Sequence, residues 1–248
     1  MTLLLSGAIA IVIGATLQRL CGAGVGMVVA PTLALVLGPA EGVLVTNGAS
    51  MVSGFMIMLA VRRDVDWRRA AIVCLAAIPG AFGGALLVRE LSAGWLQVLI
   101  GVTVLSGLAT TVAFPQVPEV RGRAALVVAG TFGGFFNTTA GVAAPAMVIY
   151  SRMARWEQRS FAATLQPIFM TMGALSVTTK TALGSVGPAG PPPLWFAPVV
   201  VGSVLAGVLI GGRLSRHVSS AGARRMALTV ASIGATLTVA RGLALLVG

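Results

Sequence analysis

Residues 133–141 read Gly-Gly-Phe-Phe-Asn-Thr-Thr-Ala-Gly and lie in the middle of an apolar segment that runs over 124–150. Hydrogen-bonding side chains are costly at the centre of a lipid-facing helix, and the segment exceeds the roughly 20 residues of a single crossing. Arg152, Arg155 and Arg159 follow it directly. We therefore interpret this segment as a broken helical hairpin that enters the membrane and returns to the same side.

A second break of the same kind lies near the N-terminus, in the apolar segment 3–37. Residues 21–26 read Cys-Gly-Ala-Gly-Val-Gly, and Pro31 follows them as Pro145 follows the other break. Glycine adopts backbone conformations that other residues avoid, and irregular backbone within a membrane is tolerated only against protein or a water-filled cavity. We therefore predict two hairpins, over 3–37 and 124–150.

The composition places the chain in a membrane. Of its 248 residues, 57% are hydrophobic and 9% are charged, whereas a soluble domain carries about 25% charged residues. Soluble enzymes, secreted modules and nucleic-acid-binding proteins are thereby excluded, and the lipid bilayer is the expected surrounding. We interpret the formal net charge of +11 as a signal of membrane topology rather than of nucleic-acid binding.

Six further apolar segments have the length of one crossing each, namely 42–61, 70–88, 91–114, 160–183, 194–212 and 226–247. The sequence thus predicts an all-α polytopic membrane protein with six spans and two hairpins, or with eight spans if the hairpins run deeper. No basic region precedes the first apolar run, so we expect no cleavable signal peptide.

The arginines predict which connections lie in the cytoplasm. Most of the 17 basic residues fall in the connecting segments 62–69, 115–123, 151–159 and 213–225, and basic residues favour the cytoplasmic side. A simple crossing over 124–150 would place the arginines after it outside, whereas a hairpin keeps all four segments inside. Both termini are then predicted to lie outside.

The hairpin model divides the chain into two repeats of opposite orientation. Residues 1–114 hold one hairpin and three spans, residues 124–248 hold the other hairpin and three spans, and 115–123 form a cytoplasmic linker. Two offsets agree with such repeats: Gly80, Gly84 and Gly107 lie 127 residues before Gly207, Gly211 and Gly234, and Asn47 and Gly54 lie 119 residues before Gln166 and Gly173. Inverted repeats are typical of transporters that bind substrate near the bilayer midplane.

The two breaks predict an anion site. A helix that restarts inside the membrane presents unpaired N–H groups and the positive end of its dipole, and both attract anions. Two such ends, one from each side, would face each other near the midplane, where Gly22, Gly24 and Gly26 would let the backbone approach the anion. Close packing of helices through small residues is the alternative role of these glycines.

Polar side chains in the same segments are candidate ligands for the anion. Asn137, Thr138 and Thr139 lie at the second break, although a threonine there can instead donate to a carbonyl one turn back and cap the hairpin. Asn47 and Gln166 occupy equivalent positions in the two repeats. We expect both to line the cavity, with hydrogen bonding between helices as the alternative.

Two basic residues within apolar segments need their own explanation. Arg19 lies deep in the first hairpin segment, where it either pairs with the anion through its forked guanidinium or extends to the cytoplasmic headgroups. Lys180 lies near the outer end of its predicted helix, and we expect it to be an anchor at the membrane interface.

The sequence predicts no catalytic residue, metal site or cofactor. It has one histidine and two separated cysteines, and its six acidic residues are all predicted to lie in loops, so neither an enzyme nor coupling through a buried carboxylate is expected. We therefore predict passive export of an anion down the membrane potential, with Na⁺ bound by backbone carbonyls left open. A membrane scaffold is the alternative class, although polar breaks argue against it.

The glycine pattern resembles the sulfite exporter TauE/SafE family of bacterial membrane proteins. The features that carry the resemblance are 22–26 with Pro31, 130–141 with Pro145, Asn47, and Gly80 and Gly84 followed by Leu91 and Ser92. The resemblance implies a permease of the bacterial plasma membrane for a small sulfur oxoanion or organosulfonate, such as sulfite or sulfoacetate. Two alternatives remain: the substrate is another small anion or a carboxylate, and the protein forms a homodimer.

Overall fold

The computed structural model describes residues 2–22, 25–113, 119–120, 122–187, 190, 192–193 and 195–247. Within these residues the chain forms ten α-helices and one 3₁₀ turn, Arg62–Asp64, and no strand. The helices are α1 (Thr2–Cys21), α2 (Val25–Leu37), α3 (Pro39–Val61), α4 (Trp67–Glu90), α5 (Ala93–Ala113), α6 (Arg123–Ala140), α7 (Ala144–Met153), α8 (Gln158–Ala182), α9 (Phe196–Leu214) and α10 (Ser220–Val247). The predicted all-α class is confirmed.

In the part of the chain that the structure describes, six helices are long and apolar enough to span a membrane, namely α3, α4, α5, α8, α9 and α10. Each corresponds to one of the six predicted spans, with ends that differ by a few residues. Their outward faces carry large apolar side chains such as Phe82, Leu209 and Leu237, each about half exposed, which suits contact with lipid tails. The chain is therefore a multi-pass membrane protein.

Each predicted hairpin segment contains a long helix followed by a short one. The first break separates α1 from α2, and the second separates α6 from α7. The second break is shorter than the glycine-rich stretch suggested, because α6 continues through Gly133 and Gly134 and ends at Ala140. Gly134 packs against α4, where an added Cβ would overlap the backbone of Ala77. That glycine therefore permits close helix packing rather than a break.

The helices pack mainly in four pairs: α3 with α8, α5 with α10, α1 with α9, and α4 with α6. In the α3–α8 pair the two chains run in opposite directions. A Cβ at Gly54 would lie 2.7 Å from the carbonyl oxygen of Gln166, and one at Gly173 would lie 2.5 Å from that of Asn47. Small residues thus bring the two helices that carry Asn47 and Gln166 into direct backbone contact.

Two charged residues lie elsewhere than predicted. Lys180 is fully buried, and its Nζ donates to the carbonyl of Ala40 at 3.1 Å. Glu41, predicted in a loop, lies in the first turn of α3. The prediction that Lys180 is an interfacial anchor is wrong, because the chain after α8 folds back over the helix end, where the N–H of Ser185 donates to the carbonyl of Lys180 at 2.8 Å.

Candidate functional site

The two breaks meet inside the bundle. Gly26, in the first turn of α2, touches Gly141, which follows α6, so closely that a Cβ at Gly26 would overlap the Gly141 carbonyl oxygen. Gly141 has φ 73°, a left-handed conformation that favours glycine, and its N–H donates to the carbonyl of Asn137 at 2.9 Å. Glycine is thus required on both sides of this contact.

A small cavity lies at the contact between the breaks, and we call it the central cavity. It is lined by Gly26, Met27, Ser50, Asn137, 141–144 and Phe169. It has room for about one water molecule. The N-terminus of α7 borders the cavity and has no side-chain cap, so the N–H groups of Ala144 and Ala146 have no partner within the helix.

Two pairs of amide residues are hydrogen-bonded at the breaks, and the first joins the side chains of Gln18 of α1 and Gln166 of α8. The Nε2 of Gln18 donates to Oε1 of Gln166 at 3.0 Å. The Oε1 of Gln18 accepts from the N–H of Val25 at 3.2 Å and from the hydroxyl of Ser53 at 3.0 Å. Because Val25 is the first residue of α2, the Gln18 side chain caps the helix that restarts after the first break.

The second pair joins Asn47 of α3 to Asn137 of α6. The Nδ2 of Asn47 donates to the carbonyl of Asn137 at 3.0 Å and to the hydroxyl of Ser176 at 2.7 Å. Among the described residues, Asn47 Oδ1, Asn137 Nδ2 and the hydroxyl of Thr138 have no hydrogen-bond partner although all are buried. An unpaired buried polar group costs about 1–3 kcal/mol, so a ligand that accepts hydrogen bonds from Asn137 Nδ2 and the Thr138 hydroxyl would be stabilised.

A larger cavity lies beside the central one, at the end of the bundle where α7 finishes and α8 and α10 begin. We call it the basic cavity because Arg152 and Arg224 line it, and it encloses about 1000 Å³ including its open mouth. Met27, Ala144 and Phe169 line both cavities. These shared residues form a wall between the basic cavity and the central cavity, which Asn137 lines.

A family model for the sulfite exporter TauE/SafE matches residues 7–237, from α1 to α10. The chain belongs to the sulfite exporter TauE/SafE family. This is a family of membrane transporters for sulfur anions and not of enzymes, which confirms the predicted resemblance and the predicted class. No curated protein and no solved structure matches the chain.

The TauE/SafE chain brings together most of the residues predicted as ligands. Asn47, Asn137 and Gln166 are buried in the two amide clusters, with Asn137 at the central cavity, and Thr138 is buried beside Asn137 in α6. Thr139 lies in the same turn, but its hydroxyl donates to the carbonyl of Phe135 at 2.9 Å. The hydroxyl of Thr139 therefore caps a carbonyl one turn back, as the alternative prediction had it, whereas the hydroxyl of Thr138 has no partner among the described residues.

The other predicted residues lie at or near the first break. Gly22 has φ 68° and lines the basic cavity, Gly26 lies at the contact, and Gly24 lies outside the described residues. Arg19 is half-buried, and its side chain packs against Gly211 of α9, where an added Cβ would lie 2.8 Å from the Cβ of Arg19. Arg19 lines neither cavity, and its contact with the anion stays a prediction.

The sequence held a signal for the residue that prediction missed, Gln18. It lies 119 residues before Asn137, the same offset that relates Asn47 to Gln166. Gln18 contacts Gln166, and Asn47 contacts Asn137. Each amide residue of the first predicted repeat therefore contacts one amide residue of the second. Applying the offset to Asn137 would have placed Gln18 among the central residues of this TauE/SafE protein.

Proposed function

We propose that this protein is a passive exporter of a small sulfur oxoanion or organosulfonate, such as sulfite or sulfoacetate, in the bacterial plasma membrane. The anion binds near the midplane between the facing N-termini of α2 and α7. The observation that carries the proposal is the contact of the two breaks beside unpaired donors on Asn137 and Thr138. Oxoanion oxygens accept hydrogen bonds, and the positive helix ends favour negative charge.

Inverted repeats, 1–114 and 124–248, underlie this proposal, and reciprocal contacts support them. Gly107 packs on Pro145 while its equivalent Gly234 packs on Pro31. Gly80 packs on the carbonyl of Thr131, and Gly207, its equivalent, packs on that of Val12. A two-fold relation between the repeats accounts for such exchanged pairs, and it makes each break a hairpin from the opposite side.

The arginines support an orientation with the basic cavity toward the cytoplasm. Arg152 and Arg224 at this cavity belong to the connecting segments that the positive-inside rule places there. Both termini then lie outside. A cytoplasmic anion is attracted into the basic cavity, and the breaks must separate before it enters the central cavity, which has room for about one water molecule.

Coupling to a cation is not needed for export. The potential, negative inside, favours outward movement of an anion by about 2.3 kcal/mol per charge for each 100 mV. Uptake of the anion against its electrochemical gradient would contradict the passive mechanism.

Binding tests this function first. The full-length protein, purified in detergent, is melted with sulfite, sulfoacetate, sulfate, thiosulfate, taurine, acetate or chloride. A ligand at 100 times its Kd stabilises by about 2.7 kcal/mol, which raises the melting temperature by about 5–10 °C. We expect sulfite or sulfoacetate to do so, and Asn137→Ala to abolish the shift.

The matched control is Thr178→Ala. Thr178 is exposed on α8, where its hydroxyl bonds only within its own helix, so the variant should keep the shift. If acetate or chloride alone raises the melting temperature, the proposed sulfur compound is wrong and that anion becomes the substrate of the proposal. No shift by any of the seven compounds would refute the anion site.

A further inference from the structure

One lysine stands apart among the basic residues. Lys180 is the single lysine of the chain, and the other 16 basic residues are arginines. It is fully buried in α8, where a well-packed apolar side chain would be at least as stable as an ion pair. A structural role alone therefore gives little reason for an ammonium group at this position.

Lys180 lies in a line of buried polar groups that starts at Asn47, whose side chain donates to the carbonyl of Asn137, a residue of the central cavity. Ser176, which accepts a hydrogen bond from Asn47, precedes Lys180 by one helical turn and shares its face of α8. Ser185 follows, and its N–H donates to the Lys180 carbonyl. Ser176, Lys180 and Ser185 are all at most 2% exposed.

The line ends at a third cavity, on the side of the bundle away from the basic cavity. We call it the opposite cavity; Glu41, Arg89, Ser92 and Ser185 are among the residues that line it. Within the part of the chain that the structure describes, the buried hydroxyl of Ser185 has no hydrogen-bond partner. The cavity therefore borders a buried hydroxyl that no described residue pairs with.

The Lys180 ammonium has donors to spare. An ammonium carries three N–H donors, and the described structure records one hydrogen bond from Lys180, to the carbonyl of Ala40, which also lines the opposite cavity. Glu41, the acidic residue close enough to interact electrostatically with Lys180, offsets part of its charge. Two ammonium donors and one hydroxyl thus remain for a ligand.

We propose that Lys180 and Ser185 form a second anion station, which receives the transported anion after it leaves the central cavity and before it reaches the opposite cavity. The station rests on the proposed function, because it serves the same anion. When no anion is present, the Ala40 carbonyl and Glu41 compensate for the ammonium. The anion takes over these interactions and gains the free hydroxyl of Ser185.

The single lysine makes a direct test possible. The full-length protein is grown with lysine labelled with ¹³C at Cε, so that one side-chain NMR signal reports Lys180. Sulfite and sulfoacetate are then titrated into the wild type and into Ser185→Ala. We expect a saturable shift of this signal, with a midpoint about 10- to 100-fold higher in Ser185→Ala, the usual effect of losing one hydrogen bond to a charged group.

Transport gives the second arm. In proteoliposomes, Lys180→Met should slow the efflux of sulfoacetate or sulfite at least about tenfold while the anion still raises the melting temperature, because the central site is intact. The matched control is Thr181→Met, since Thr181 is the exposed neighbour of Lys180 on α8. If Lys180→Met fails to fold, the titration midpoints of the wild type and Ser185→Ala still test whether the station binds the anion.

The outcomes separate the two proposals. If no anion shifts the melting temperature of the wild type, the proposed function fails. If the wild type binds and transports sulfite or sulfoacetate but the Lys180 signal stays fixed, the station is overturned and the central site stands. Equal midpoints in the wild type and Ser185→Ala, or normal efflux by Lys180→Met, would also overturn it.

Discussion

Replacing Gly26 by alanine should push the two breaks apart. The added Cβ would overlap the carbonyl oxygen of Gly141 and lie 3.5 Å from the Cα of Val142, and both neighbours are backbone atoms that cannot rotate away. Overpacking of this kind costs about 1–3 kcal/mol. For a chain of this size we expect the melting temperature to fall by about 2–12 °C. Anion efflux should fall as well, because the donors at the contact move.

Gly48→Ala is the matched control for this prediction. Gly48 lies in α3 beside Asn47, and a Cβ there would meet no atom within 4 Å. Alanine in a helix is favoured over glycine by about 0.4–1 kcal/mol, so this variant should melt at or above the wild-type temperature. Both variants are melted in the same detergent and assayed for efflux from proteoliposomes. A Gly26→Ala protein that melts and transports like the wild type would refute the direct contact of the breaks.

Three further variants test the parts around that contact. Gln18→Ala should lower the free energy of unfolding by about 2–6 kcal/mol, measured by thermal or denaturant unfolding, because the Val25 N–H and the Gln166 amide oxygen each lose a partner at about 1–3 kcal/mol; a loss no larger than that of Thr178→Ala would contradict this. The double variant Arg152→Gln, Arg224→Gln should slow efflux at low ionic strength and should slow it much less at high salt, since salt screens the long-range attraction between the arginines and the anion. Equal slowing at both salt concentrations would rule out capture of the anion by charge. Arg19→Gln should keep the anion-induced rise in melting temperature, because its side chain lies against α9; loss of that rise would place Arg19 at the anion.

Much of the fold could be predicted from the sequence because hydropathy and charge act on whole segments. A bilayer selects runs of about 20 apolar residues, and all six such runs are helices of that length here. The exact position of a break depends on a few residues. Gly133 and Gly134 were expected to break a helix, yet they lie inside α6. A glycine that serves packing and a glycine that serves a break look alike until the neighbouring helix is known.

The parts of the candidate site that follow a general rule of membrane proteins could be predicted, and the parts that depend on local folding could not. Asn47, Asn137 and Gln166 were recognised because a buried amide in a membrane needs a partner, and the structure places all three in amide clusters. The interfacial prediction for Lys180 rested on its place near the outer end of the predicted span 160–183. Its burial depends on Ser185 and the turn after α8, and neither hydropathy nor spacing shows how a turn folds over a helix end.

The distribution of charge along the proposed path explains how an anion could both bind and leave. The described residues that line the central cavity are uncharged, so in the proposed mechanism an anion there would be held by N–H groups, helix ends and the Nδ2 donor of Asn137. A buried cation at the same point would hold the anion much more strongly and slow its release. The cations lie instead on either side, at Arg152 and Arg224 in the basic cavity and at Lys180 beyond Ser176. On the proposed path, an anion that leaves the neutral centre would therefore be attracted in both directions, and the membrane potential would decide which direction prevails.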